Sequence, residues 1–252
     1  MILFDTPYEE VFTIMFGEYE KVKYAVSKAS RNAARLFTSA PPYPHPAPIV
    51  NRYTIPASRN NYVIVSVLKE DNIENYVYLK SNGDHGHQKV FLLRKNNGKK
   101  DLDLKTPSWI LDVYTGHFLS RYRKRAKVIG LSGDDLIVHF LEHNSKHGIA
   151  IPADIVNPAE KGVNSFVMMV DEGVCFMSCS SIVHNGIDVE IDENKTFVSK
   201  DSLYFTQLSS FLTTDYFLKM ARIKKAQNNG ASDKEIFDII QSGIFQPIRN
   251  KP

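Results

Sequence analysis

The chemistry of this chain concentrates in Tyr114-Thr115-Gly116-His117-Phe118-Leu119-Ser120-Arg121-Tyr122-Arg123-Lys124-Arg125-Ala126-Lys127. His117, Arg121 and Arg125 recur every four residues, so on a helix they stack along one face and can meet one anionic ligand together. Thr115 is placed to cap that helix, which puts His117 in the first turn, where free backbone N–H groups and the helix dipole favour an anion. An imidazole there is suited to proton transfer. Arg121 and Arg125 add forked donors that match phosphate oxygens. Metal-independent ribonucleolysis needs a group to move protons at the 2′-hydroxyl and the leaving oxygen, and cations to hold charge building on the phosphoryl group. One histidine and two arginines fill much of that list.

Two other readings fit the same residues. Five of the seven residues from Arg121 to Lys127 are cationic, which also describes a solvated helix face with Phe118, Leu119, Tyr122 and Ala126 on the buried side. Alternatively the stretch binds nucleic acid without cleaving it. Arg123, Lys124 and Lys127 would neutralise the backbone while Tyr122 stacks on a base.

A His-x3-Arg-x3-Arg helix, an apolar helix, a strand hairpin and a final strand Lys195-Thr196-Phe197-Val198-Ser199 follow one another. That order resembles the small RelE-like toxin ribonucleases and their relatives. It is also similar to uncharacterised proteins of Bacteroidetes and their phage or mobile elements, which carry a His-Phe-x-x-Arg-Tyr helix and a Thr-Phe-Val-Ser-x-x-x-Leu segment. Here those are His117-Phe118 with Arg121-Tyr122, and Thr196 to Leu203, with Gln207 beyond. The resemblance covers residues 110 to 207. It implies a compact sheet on one or two helices, His117, Arg121 and Arg125 as catalytic residues, and a hydroxyl from Thr196 on the last strand. The chain departs from toxins of that group in its greater length and in an insertion from His147 to Gly162.

A second constellation is His139-Phe140-Leu141-Glu142-His143, which fits the His-x-x-Glu-His pattern of inverted zinc proteases. His139 and His143 share a helix face, and Glu142 lies near enough to act on a zinc-bound water. Asp154 and Glu160 are available as a further ligand, and His147 extends the row. A helix-end histidine cluster is the alternative. His85 and His87 form a further His-x-His pair in a turn.

These groups need elements to hold them. Residues 7 to 38 carry apolar positions at a helical period, with Gly17 as a candidate break, and Lys21, Lys23, Lys28, Arg31 and Arg35 make a basic face that reads as solvated surface. Pro41 to Pro48 reads as a polyproline connector. Tyr62–Leu68, Tyr76–Leu79 and Lys89–Leu93 form an antiparallel meander, and Trp109–Val113 is a fourth strand or a helix entry. Ser132-Gly133-Asp134-Asp135 opens the second helix. After a proline-bearing loop over 149–162, Ser165–Asp171 and Val174–Cys179 form a hairpin around Glu172-Gly173, with Gly173 at positive φ. His184-Asn185-Gly186 is a turn into the closing strands, and residues 203 to 252 read as helices.

The composition is that of an ordinary globular protein: 43% hydrophobic, 23% charged, net charge +3. Nucleic-acid binding therefore has to come from local clustering, not from overall charge. No run is apolar enough to span a bilayer, and the N-terminus is unlike a signal peptide, so no membrane partner and a cytoplasmic location are expected. Cys175 and Cys179 are expected as reduced thiols on one side of a strand. The expected fold is α+β, an antiparallel sheet packed against helices. Its divisions are an N-terminal helical segment (1–40), a proline-rich connector (41–50), a body (51–200) and a C-terminal helical segment (201–252). The leading function is a metal-independent, toxin-like ribonuclease without a cofactor. The alternatives are a non-enzymatic nucleic-acid- or protein-binding protein and a zinc hydrolase.

Overall fold

The computed structural model describes residues 2–39, 46–69, 72–82, 88–95, 108–144, 146–152 (backbone only), 165–202, 230 and 232. Most of the proline-rich stretch, His85 and His87, Asp154 and Glu160, and the C-terminal helical segment after 202 lie outside the described residues.

The helix α1 (Tyr8–Ser39) leads into the edge strand β1 (Ile49–Thr54). The meander follows as β2 (Asn61–Lys69), β3 (Asn72–Lys80), β4 (Lys89–Lys95) and β5 (Trp109–Thr115), all antiparallel. The chain then forms α2 (Gly116–Arg125) and α3 (Gly133–His143). It returns through β6 (Lys146–Pro152), β7 (Ser165–Val170), β8 (Gly173–His184) and β9 (Ile187–Ser199). One sheet of nine strands results, in the order β1-β2-β3-β4-β5-β9-β8-β7-β6.

The fold is α+β, but the sheet is mixed, not purely antiparallel. β9 lies parallel to β5, with Asp112 opposite Asp192. A parallel neighbour needs a long connection, and the two helices and three strands between β5 and β9 provide it. The expected loop over 149–162 begins as strand instead: β6 pairs with β7 through Pro152, with an irregularity between His147 and Ile151. Proline is tolerated there because β6 is an edge strand.

Helices cover both faces of the sheet. On one face α1 packs Val11, Phe12, Met15 and Val22 against Tyr62, Leu79, Phe91, Leu111 and Ile191. On the other, α2 and α3 pack Phe118, Tyr122, Leu136, Phe140 and Leu141 against Val63, Val65, Tyr78, Val90 and Phe197. Double coverage explains the continuous burial of β2, in which Tyr62 through Val67 are all buried and, except for Ser66, apolar, where a one-sided sheet would alternate. α1 passes through Gly17 unbroken.

Two turns differ in why they need glycine. Asn185 and Gly186 have φ of 49° and 79°, as a tight two-residue hairpin requires. The β7–β8 hairpin turns instead at Asp171-Glu172, because Val170 pairs with Gly173. Gly173 does not take the expected positive φ. It is glycine because a Cβ there would lie 2.0 Å from the Val198 carbonyl oxygen.

Candidate nucleic-acid interface

α2 is positioned by both of its ends. Thr115, the last residue of β5, is in extended conformation and its hydroxyl accepts from Phe118 N–H at 3.1 Å, so the strand passes directly into a capped helix. At the other end Val128 N–H bonds to the Arg123 carbonyl and Ala126 N–H to that of Tyr122, while Lys127 takes a φ of 57°. This is a Schellman closure with lysine at the position that favours glycine. Phe118 and Tyr122 anchor the helix in the core. His117, Arg121, Arg123, Lys124, Arg125 and Lys127 are left exposed, and the helix contains no acidic residue.

The expected catalytic row is only partly assembled. Arg121 Nε donates to His117 Nε2 at 3.4 Å. Arg125 turns away and donates through Nη1 to the Phe197 carbonyl of β9. Burial and the neighbouring Arg121 charge lower its pKa from the ordinary arginine value. Thr196 does not join the row. Its neighbour Phe197 is fully buried on the α2 side, and adjacent strand residues face opposite ways. Beside the end of α2, Arg125, Lys127, Val198, Ser199, Asp201 and Ser202 line an open depression of about 480 Å³. Lys127 Nζ lies 4.0 Å from the Asp201 carboxylate there.

Tyr122 is the clearest correction. It is fully buried, edge-on to Phe140 and Phe197, and its ring is closed to a stacking base. Its hydroxyl donates to Glu172 Oε2 at 2.6 Å and lies 2.8 Å from His139 Nδ1. The single hydroxyl proton goes to Glu172, so His139 Nδ1 is the donor in the second contact. Asn144 closes the network, donating from Nδ2 to the same Glu172 oxygen at 2.8 Å and accepting the Glu172 N–H on Oδ1 at 3.1 Å.

That network decides the geometry of the zinc-protease pattern. Burial, and secondarily the nearby His143, depress the His139 pKa against the pull of Glu172, which favours the neutral imidazole. The rings of His139 and His143 stack 4.1 Å apart and 16° from parallel. Imidazole lone pairs lie in the ring plane, so nearly parallel rings do not aim at one ion. His143 Nδ1 donates to the His139 carbonyl, and Glu142 lies 3.6 Å from the same nitrogen. His139, Glu142 and His143 thus read as a helix-end cluster.

Among the described residues, the one group whose ligand atoms converge within 4.8 Å is Cys179, Glu190 and Asp192. It sits mid-sheet beside Arg94 and Asp112. Arg94 Nε donates to Asp112 Oδ2 at 2.7 Å, its Nη2 lies 3.8 Å from Asp192 Oδ2, and Cys179 Sγ donates to Asp192 Oδ1 at 3.2 Å. Burial, with Asp192 close by, pushes Glu190 up to about 7. Arg94 offsets one aspartate charge, and the proton held by Glu190 avoids a third negative charge. A divalent cation accepting thiol and carboxylate ligands is what these three side chains would hold.

Sequence reasoning missed both clusters. Glu190 and Asp192 alternate with Val189 and Ile191, which reads as a strand with one wet face. Asp112, an isolated acid inside an apolar run, was the available signal. Comparison with family models, curated proteins and solved structures finds no match to this chain.

Proposed function

We infer that the protein binds nucleic acid through the solvent face of α2, without using that face for cleavage. The observation that carries this reading is the run of six exposed side chains, His117, Arg121, Arg123, Lys124 and Arg125 on one capped helix and Lys127 just past its end, with the apolar side of the helix locked into the core. Such a surface neutralises phosphates in series and releases counterions. A solvated face alone would not need to exclude every acid from ten consecutive helical residues. RNA is the favoured ligand, in keeping with the resemblance of the His-x3-Arg-x3-Arg helix to toxin ribonucleases.

The test is binding of labelled single- and double-stranded RNA and DNA across a salt series. Reversing Arg123 and Lys124 to glutamate is expected to weaken binding at least tenfold and to flatten its salt dependence. Unchanged affinity in that variant would remove α2 from the interface.

Ribonuclease activity is the second reading, and the His117–Arg121 contact at 3.4 Å favours it. Against it, the row has no proton-transfer group beside His117, its second phosphate clamp Arg125 donates to the Phe197 carbonyl of β9, and the Thr196 hydroxyl faces elsewhere. Incubation with several RNAs in chelator separates the two readings. Cleavage abolished by His117→Ala supports the enzyme, whereas intact RNA with retained binding supports the binding protein.

A further inference from the structure

The opposite face of the sheet carries a second concentration of positive charge. α1 is divided by charge along its length: all its acids, Glu9, Glu10, Glu18 and Glu20, precede Lys21, and from Lys21 to Ser39 it has three lysines and two arginines and no acid. Tyr24, Lys28, Arg31 and Arg35 are spaced by four, three and four residues, so they form one row on the helix. The helix dipole does not account for them, since its effect is confined to the terminal turn and the last turn of α1 has no basic residue. Like charges three and four apart also cost helix stability.

The row borders a groove of about 550 Å³ between the second half of α1 and the edge strand β1. Its walls include Tyr24, Lys28, Arg31 and Arg35 from the helix, with Asn51 and Tyr53 from the strand. None of the eleven lining residues among those described is acidic. Arg52 also borders the groove, but its guanidinium pairs with Asp134 of α3 at 2.9 Å, so the groove's charge comes from the helix. Tyr24 is 70% exposed. Asn51 Nδ2 is buried and has no acceptor among the described residues, a state that ordinarily costs about 1–3 kcal/mol.

We propose that the groove between α1 and β1 binds a nucleotide unit, with Lys28, Arg31 and Arg35 holding phosphate, Tyr24 and Tyr53 flanking the base, and Asn51 donating to it. The volume suits a ligand of that size. Cations alone would suit any anion, but two tyrosines and an unsatisfied amide donor call for a ring with acceptor atoms. The unit can be a free mononucleotide or one residue of a single strand, because both present a phosphate and a base face. The proposal stands apart from the reading of α2, which lies on the other side of the sheet.

The experiment uses the full chain carrying Arg123→Glu and Lys124→Glu, so that binding at α2 is weakened. Calorimetry with adenosine and uridine monophosphates, anisotropy with a labelled oligouridylate, and inorganic phosphate as a control are compared. The same measurements follow in Lys28→Glu/Arg31→Glu and in Tyr24→Ala, exposed positions whose melting temperatures confirm folding. The expected result is binding of nucleotide or oligonucleotide above that of phosphate. The charge reversal should weaken it at least tenfold, and Tyr24→Ala by about tenfold with the salt slope retained. Binding of the mononucleotides identifies a free nucleotide as the ligand; binding of the oligonucleotide alone identifies a strand. Absence of binding to either, or affinity indifferent to Tyr24→Ala, overturns the proposal. The α2 reading survives if the protein with native α2 still binds RNA and loses it on reversal of Arg123 and Lys124.

Discussion

At the residue scale, the interior of this protein holds more ionisable groups than its ordinary composition suggests. Tyr122 is held by Glu172, His139 and Asn144 together. Tyr122→Phe keeps the ring packing and removes the hydroxyl, leaving a partly buried carboxylate with one fewer donor. The expected loss is about 1–3 kcal/mol in denaturant unfolding. Glu190 gives a prediction of opposite sign. Its folded pKa, about 7, lies above the ordinary value of 4.5, so the folded state holds a proton that the unfolded chain releases. Its contribution is therefore intact below about pH 4.5, is lost as pH rises, and levels off above about pH 7. Glu190→Gln should match the parent in acid and exceed it above neutrality by on the order of 1 kcal/mol, a figure reduced for its half-buried position. Equal stability at both pH extremes would show that Glu190 is not strained by Asp192. Neither cluster was legible as buried. Alternation of acid and aliphatic residues marks which side chains share a face, and it says nothing about whether a helix covers that face.

At the element scale, the parts read best from sequence were those with local causes. The meander strands follow from β-branched and aromatic runs between turn residues, and α2 follows from Thr115 and its amphipathic spacing. The β5–β9 pairing had no local cause, because where β9 returns depends on how two helices and three strands pack between. β1 was hidden against the neighbouring prolines, and β6 behind Pro152. Lys127 shows how an element's end can trade stability for charge. A non-glycine residue at positive φ carries strain of about 1 kcal/mol, yet a lysine here carries the cationic run past the end of the helix. Lys127→Gly should raise the unfolding free energy by about 0.5–1 kcal/mol and weaken RNA binding several-fold, the two read by denaturant titration and anisotropy on the same preparation. Gly173→Ala should act the other way. Its Cβ would meet the Val198 carbonyl at 2.0 Å, forcing β8 and β9 apart at a cost of about 2–3 kcal/mol.

At the scale of the whole molecule, the net charge of +3 gives a weak overall field, so association with a polyanion depends on how the cations are distributed. Ten of the 31 lysines and arginines form two clusters, Arg121 to Lys127 at α2 on one face of the sheet and the second half of α1 on the other. The sheet and its two packed cores separate them, and a short oligonucleotide cannot reach around that thickness to touch both. Two separate sites predict a stoichiometry of two short strands per chain at low salt. Reversing Arg123 and Lys124 should leave one, and reversing Lys28 and Arg31 should leave the other. Each reversal should lower the salt slope of its own site by about one unit for every cation removed. Energies at sites so far apart are expected to add, so the doubly reversed protein should lose both without any further penalty to folding. Calorimetric titration reads the stoichiometry directly. A single strand per chain, lost on reversal of either cluster, would instead mean that the two surfaces serve one continuous path around the edge of the sheet.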